Sequence, residues 1–95
     1  MAVVVGLLSV ELHLPLCQSL KDKRMVLRSV KDRLKKLNVA VAEVEYLDRW
    51  QRAGIGIVGV SNEADHVQQV LEAAKAEIER VEPGLITRTE FEFLT

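Results

Sequence analysis

The segment from Ser19 to Leu37 constrains the fold most, because its residues have the spacing of one amphipathic helix. Its apolar residues recur every three or four positions, which is the repeat of one helical face. They are Leu20, Leu27, Val30, Leu34 and Leu37, with Val26 at the margin. Ser19 and Asp22 have the spacing of a capping box, in which the serine oxygen accepts the backbone N–H three residues on. The sequence therefore predicts a helix that starts after Ser19 and ends near Asn38.

The polar surface of this predicted helix carries a stripe of basic residues. At about 100° per residue, several of them fall together on one flank of the apolar face. They are Lys21, Arg24, Arg28, Lys31 and Lys35. Such neighbours repel by a few tenths of a kcal/mol per pair, and Asp22 and Asp32 offset only part of that repulsion. Two interpretations stay open: a solvated surface whose lysine stems cover the core, or a phosphate-binding site to which Lys23 also contributes.

Alternating segments surround two amphipathic ones along the chain. Residues 2–14 alternate with apolar or glycine residues at even positions, which predicts a strand whose even face meets the core. Residues 39–47 alternate, residues 53–60 are rich in glycine and β-branched residues, and the short polar turn between them favours an antiparallel hairpin. A second helix follows Ser61 or Asn62 and ends at Pro83-Gly84, and residues 85–94 form a last strand. The second helix is predicted to have an acidic surface made by Glu63, Asp65, Glu72, Glu77, Glu79 and Glu82.

The order strand, helix, strand, strand, helix, strand predicts an α+β fold with the ferredoxin-like split βαβ topology. We expect one domain over residues 1–95, with a four-stranded antiparallel sheet and two helices on one face. The first and third strands then lie at the centre of the sheet, and the other face is open. The open face is predicted to have an apolar centre of Val5, Leu7, Ile55 and Ile57, with Ser9, Glu11, Glu43, Glu45, Arg88, Glu90 and Glu92 around it.

The third strand bears on whether this open face binds nucleic acid or protein. Residues 54–60 fall in the frame of the RNA-recognition motif signature, but Ile55, Ile57 and Val60 stand where that motif has aromatic residues. Stacking on an aromatic ring contributes about 1–3 kcal/mol per base, which aliphatic side chains mostly lose, and the flanking glutamates repel phosphates. An exposed aliphatic patch is more typical of a protein interface, including self-association.

Charge is distributed unevenly along the chain. The formal net charge is −1, but residues 1–38 hold eight Lys and Arg against three acids, whereas residues 39–95 hold five against eleven. This balance argues against a general nucleic-acid coat and leaves a local basic surface. Cys17 is the one cysteine, and no signal peptide or membrane span is recognisable, so we expect a cytoplasmic protein without an intrachain disulfide.

Trp50, Gln51 and Arg52, in the turn of the predicted hairpin, are the second group of candidate binding residues. Trp50 either folds back on the sheet edge or forms an exposed anchor for a partner, since Trp and Arg are favoured at interface hot spots. No nucleophile–base pair, phosphate loop or metal spacing is present in the sequence. We therefore expect no enzymatic activity, metal or cofactor, although a ligand beside Trp50 would support an enzyme.

Several segments of the chain resemble one family of small bacterial proteins, the YlxP-like family. They are His13–Pro15, Ser19–Arg24, Asn38–Glu43, Trp50–Arg52 and residues 56–62. The resemblance implies a ferredoxin-like fold and no assigned catalytic residues, and the family has no established function. Its genes often lie near those of translation initiation and ribosome-binding factors, which implies a role in ribosome maturation. The positions shared with the family include Lys21, Lys23, Arg24, Glu43, Trp50, Gln51 and Arg52.

Two functional hypotheses follow from these patterns. The first is a non-enzymatic protein that binds structured RNA, such as that of a ribosomal subunit, through phosphates that contact the first helix. The second is a homodimeric interaction module that uses the aliphatic open face of the sheet. The two use opposite sides of the sheet.

Overall fold

The chain folds as the predicted ferredoxin-like α+β arrangement. The computed structural model describes residues 1–81 and 83–95, so the predicted position of Glu82 on the acidic helix surface lies outside the described residues. The elements are β1 (Val4–His13), α1 (Leu20–Leu34), β2 (Val39–Glu45), β3 (Arg52–Ser61), α2 (Ala64–Val81) and β4 (Ile86–Phe93). The strands form one antiparallel four-stranded sheet in the order β2-β3-β1-β4. β1 and β3 are therefore central, as expected.

Helix α1 begins at the predicted cap and ends earlier than predicted. The Ser19 hydroxyl accepts from the Asp22 backbone N–H at 3.0 Å, and the Asp22 carboxylate accepts from Gln18 N at 2.9 Å. The Asp22 carboxylate thus binds the backbone N–H of Gln18, the residue before the N-cap, rather than that of Ser19 itself. At the other end, Leu37 N donates to Leu34 O at 3.0 Å, three residues back. This tighter pattern ends the α-helix at Leu34 rather than near Asn38.

The core lies between the sheet and the two helices, and it contains two residues that were expected on the open face. β1 pairs with β3 so that Leu8 faces Ile57 and Val10 faces Ile55. Directly opposed residues share a face of the sheet, and both isoleucines are almost fully buried. The prediction of Ile55 and Ile57 on the open face is therefore wrong. The run from Ala53 to Val60 is apolar or glycine at every position, so its pattern could not show which residues face the helices.

A close approach of α2 to the sheet depends on a glycine in β1. A Cβ added to Gly6 would lie 2.5 Å from Val67 Cγ1 and 3.1 Å from Leu71 Cδ1. Val67, Leu71, Ala74 and Ile78 of α2 are buried in the same core. The even positions of β1 thus face the helices, as the alternation predicted.

The open face has an aliphatic centre that differs in part from the predicted one. Val5 opposes Val60 and Leu7 opposes Val58, so β3 contributes valines where isoleucines were expected. The other residues on this face include Ser9, Glu11, Gly54, Gly56, Ala40, Ala42, Val44, Arg88, Glu90 and Glu92. Glu43 opposes Ile55 and so lies on the helix side, which corrects its predicted place.

Candidate functional site

Most residues of the predicted basic stripe line a groove between α1 and the edge strand β2. Its volume is about 360 Å³, and it is lined by Arg24, Leu27, Arg28, Lys31, Asp32, Lys35 and Glu43. Arg24, Arg28 and Lys31 lie on successive turns of α1, and Lys35 is its C-cap. All four cations are exposed. Lys21 is also exposed but does not line the groove. The predicted stripe thus contains four residues that line the groove and one, Lys21, that does not.

Three of the groove cations have no carboxylate partner among the described residues. Lys35 Nζ lies 3.1 Å from Asp32 Oδ1, and that pair is exposed on both sides. Within the part of the chain that the structure describes, Arg24, Arg28 and Lys31 form no ion pair. Because an anion would meet little internal competition at these side chains, the groove is suited to a negatively charged ligand.

Lys23 does not belong to this exposed surface, which corrects its predicted role as an anion contact. Its side chain is 2% exposed, and Nζ lies 2.8 Å from Glu43 Oε2. A charge this deeply buried needs a partner, because desolvation costs more than a weak contact returns. The helical repeat puts Lys23 on the core side of α1, beside Leu27 and Leu34.

The same ammonium group organises the loop between β2 and β3. Lys23 Nζ donates to the backbone oxygens of Tyr46 at 2.8 Å, Leu47 at 3.3 Å and Arg52 at 3.4 Å. Tyr46 has a φ of +58°, a conformation that bulky L residues rarely adopt. The charge-assisted hydrogen bond to its carbonyl offsets that strain. Lys23 therefore fixes the start and the end of the loop.

Gln51 ties the loop to the segment that follows β1. Its side-chain Nε2 donates to the backbone oxygens of Pro15 and Cys17, each at 3.2 Å. Its own backbone oxygen accepts from Leu14 N at 2.8 Å. Gln51 was predicted as a partner-binding residue, and the structure places its amide in these internal contacts. Cys17 is buried in the core.

Trp50 and Arg52 differ in their availability to a partner. The Trp50 side chain is 52% exposed, as the anchor interpretation required. Arg52 Nε donates to Glu11 Oε1 at 2.6 Å, and its guanidinium lies 4.1 Å from the centre of the Tyr46 ring. The hydrogen bond to Glu11 raises the pKa of the Arg52 guanidinium above its ordinary value. Arg52 is thus committed to contacts within the chain, although it is partly exposed.

Helix α2 contains a buried carboxylate that sequence reasoning placed on the surface. Glu77 is 6% exposed. Its carboxylate lies 2.9 Å from Lys36 Nζ, 2.8 Å from an Arg80 nitrogen and 3.6 Å from an Arg33 nitrogen. The hydrogen bond from Lys36, with the charges of Arg80 and Arg33, lowers the pKa of Glu77 despite the opposing effect of burial. The one available signal was the position of Glu77 beside Ile78 and three residues after Ala74, on the apolar face of α2.

Two further features bear on the site. In residues 1–81 and 83–95, no group of three or more His, Cys, Asp or Glu side chains is placed to hold a metal ion. Neither helix in those ranges combines the length and the apolar character needed to cross a membrane.

A protein-family model matches most of the chain. Residues 5–91 match the model of a family described as a protein of unknown function, DUF503. The uncharacterized protein YlxP of Bacillus subtilis (strain 168) is 40% identical, in an alignment that covers 77% of this chain and 83% of that protein.

Solved structures with a similar backbone share little sequence with the chain. The de novo designed protein Foldit4 has a TM-score of 0.61 at 12% identity, with 98% of this chain and 97% of that chain covered. The YxeP protein of Bacillus subtilis, a dinuclear metal-binding peptidase, has a TM-score of 0.61 at 12% identity, but only 26% of its chain is covered. SnoaB, a cofactor-independent oxygenase from Streptomyces nogalater, has a TM-score of 0.51 at 10% identity, with 100% and 93% covered. These similarities concern the fold alone.

Proposed function

The chain belongs to the DUF503 family of proteins of unknown function, and we propose that it is a non-enzymatic protein that binds structured RNA in the α1 groove. The observation that carries the proposal is the line of four cations, Arg24, Arg28, Lys31 and Lys35, along one groove. From Arg24 to Lys35 the helix rises roughly 16 Å, at 1.5 Å per residue. A nucleic-acid duplex presents several phosphates over that length.

The charges inside the groove favour an anion. Glu43 lies in the groove lining, but its carboxylate is paired with Lys23. Asp32 is likewise paired with Lys35. The groove surface is therefore positively charged, because of Arg24, Arg28 and Lys31. Contacts between such side chains and phosphates position the protein on the RNA backbone and do not read the base sequence.

The sheet is a poorer candidate for RNA than the groove. Among the described residues, none of the side chains that β3 places on the open face is aromatic: they are Arg52, Val58 and Val60, with Gly54 and Gly56 between. Glu90 and Glu92 of β4 lie on the same face. The ring of Tyr46, which borders this face, already carries the Arg52 guanidinium, and phosphates would meet carboxylates there. A role near translation or ribosome maturation, as the family resemblance implies, is consistent with binding by the groove.

The salt dependence of RNA binding tests this proposal with two matched variants of α1. Arg28→Gln combined with Lys31→Gln removes two charges from the groove, and Arg33→Gln combined with Lys36→Gln removes two from the opposite flank. We expect the first variant to reduce the log–log salt slope for a structured RNA by about 2, and the second to leave the slope unchanged. Fluorescence anisotropy measures both, and co-sedimentation with ribosomal subunits at low and high salt extends the test.

Two results would contradict the groove as the binding site. One is wild-type binding to RNA and subunits that is insensitive to salt. The other is an equal loss of affinity in both variants, because that would reflect the general charge of the helix rather than the groove.

The open face supports a second candidate function, a homodimer formed with a second copy of the chain. Val60 and Val44 are each more than half exposed, and the pairs Val5–Val60 and Leu7–Val58 make their surroundings aliphatic. At its margin Arg88 and Glu90 form an ion pair with each other, which leaves the aliphatic centre as the part of the face available to a second copy. Sedimentation equilibrium tests it: Val58→Lys should dissociate the dimer, whereas Glu72→Lys on α2 should not. A wild-type monomer at high micromolar concentration would contradict the dimer.

A further inference from the structure

The loop between β2 and β3 is held more firmly than a surface connection requires. Lys23 donates to three of its boundary carbonyls, and Gln51 donates to two carbonyls of the segment after β1. Within the loop, Arg49 N donates to Tyr46 O at 3.0 Å. Ordering a loop before binding reduces the entropy lost on binding. The loop is therefore preorganised around the side chain that it exposes, Trp50.

The exposed indole borders a shallow depression. Its volume is about 440 Å³, and it is lined by His13, Asp48, Arg49, Trp50, Gln51 and Arg52. Trp50 is 52% exposed, so a large part of its surface is open to a ligand. A tryptophan that is held in place and left half in solvent can stack on a flat ring at little conformational cost.

Consecutive residues of α1 connect the loop that carries Trp50 with the α1 groove. Lys23 binds the loop carbonyls with its ammonium group, and the next residue, Arg24, begins the line of groove cations. The partner of Lys23, Glu43, itself lines the groove. An RNA backbone that follows the cations toward the start of α1 therefore runs in the direction of the loop that carries Trp50.

The depression holds groups that suit a base and its phosphate. Asp48 lies in its lining, and a carboxylate accepts hydrogen bonds from the exocyclic amino group of a base such as cytosine. Arg49 supplies a cation at the same place for the phosphate of the stacked nucleotide. We propose that Trp50 stacks on one unpaired, amino-bearing base of the RNA whose phosphates occupy the α1 groove. This inference rests on the function proposed above.

Trp50 reports on its own contacts, because it is the one tryptophan of the chain. Two RNAs test the site: a fully paired hairpin, and the same hairpin with a single bulged cytidine. We expect the bulged RNA to quench tryptophan emission on binding, and the paired RNA to bind without that quenching. Trp50→Ala should lower the affinity for the bulged RNA by about 5- to 150-fold, which is the usual effect of losing one stacked base. The paired RNA should bind the variant as it binds the wild type, and anisotropy of labelled RNA measures both.

Control variants separate this site from the groove. Leu47→Ala shortens another exposed side chain of the same loop and should leave both affinities unchanged. Trp50→Phe should restore part of the affinity for the bulged RNA, because phenylalanine keeps a ring. The variant with Arg28→Gln and Lys31→Gln should lower the affinity for both RNAs by the same factor.

Each proposal fails in its own way. Bulged RNA that binds without quenching, or a Trp50→Ala variant that loses both RNAs equally, would overturn the stacking site and leave the groove intact. Wild-type protein that binds neither RNA would overturn the groove and, with it, the stacking site.

Discussion

The two flanks of α1 carry the same residue types in different electrostatic surroundings. On the flank that faces α2, Arg33 and Lys36 reach the buried carboxylate of Glu77. On the flank that faces β2, Arg28 and Lys31 form no ion pair among the described residues and line an open groove. Where the neighbouring element holds a buried acid, the exposed cations pair with it. Where it holds none, the cations remain available to solvent or to a ligand. Basic residues on one helix are thus divided between stability and binding by the elements they face.

Lys23 is the extreme case of a structural cation, and replacing it should have the largest effect. Lys23→Met keeps the unbranched apolar stem of the side chain but leaves the Glu43 carboxylate without its partner and three carbonyls without their donor. Removing one member of a buried pair typically costs about 3–5 kcal/mol, so we expect a loss of that size in the free energy of unfolding. Urea denaturation monitored by circular dichroism measures it.

A second substitution distinguishes the ion pair from the loop contacts. Adding Glu43→Leu to Lys23→Met removes the unpaired carboxylate, and apolar replacements of buried pairs are often close to neutral. We expect only partial recovery, because the carbonyls of Tyr46, Leu47 and Arg52 still lack the ammonium donor. Full recovery would show that the loop does not depend on Lys23.

Glu77→Gln should have a smaller effect on stability than Lys23→Met. The carboxylate is buried, but its three partners are exposed and can be rehydrated when it is replaced. The pKa of Glu77 is lowered in the folded protein, first by the hydrogen bond from Lys36. Its contribution is therefore complete above the ordinary pKa of a glutamate and is lost as the pH falls through the lowered value.

The pH dependence provides the measurement for Glu77. The stability difference between wild type and Glu77→Gln should be largest at neutral pH and should shrink as the pH falls below about 5. Thermal denaturation at a series of pH values measures it. A difference that stays constant down to pH 3 would mean that the folded-state pKa of Glu77 is not lowered.

Sequence patterns predicted the elements and the groove because those depend on local repeats. The 3.6-residue period placed Arg24, Arg28, Lys31 and Lys35 on one flank without knowledge of the neighbours. Residue type alone predicts Lys23 and Glu77 at the surface, but the position of each is on the buried side of its helix. Which charges are buried depends on whether an opposite charge on another element reaches them, and single-sequence periodicity does not contain that information.

The third strand shows a different limit of the same reasoning. Alternation assigns a face only when one set of positions is polar, and residues 53–60 have no polar member. A one-residue error of phase exchanges the two faces of a strand, so Ile55 and Ile57 were placed opposite to their true side. The residues that belong on the open face, Val58 and Val60, follow from the pairing of β3 with β1.

The smallest expected effect tests the comparison of the two flanks most directly. The groove variant, with Arg28→Gln and Lys31→Gln, should change the free energy of unfolding by no more than about 0.5 kcal/mol, because surface substitutions without partners rarely do more. Relief of repulsion between neighbouring turns offsets what is lost. The opposite variant, with Arg33→Gln and Lys36→Gln, should be less stable at neutral pH and should lose part of the acid dependence that Glu77 contributes. Urea denaturation at pH 7 and pH 4 compares them on the same helix and with the same change of charge. If the groove variant is as destabilised as the opposite one, the groove cations stabilise the fold, and the division between the two flanks is wrong.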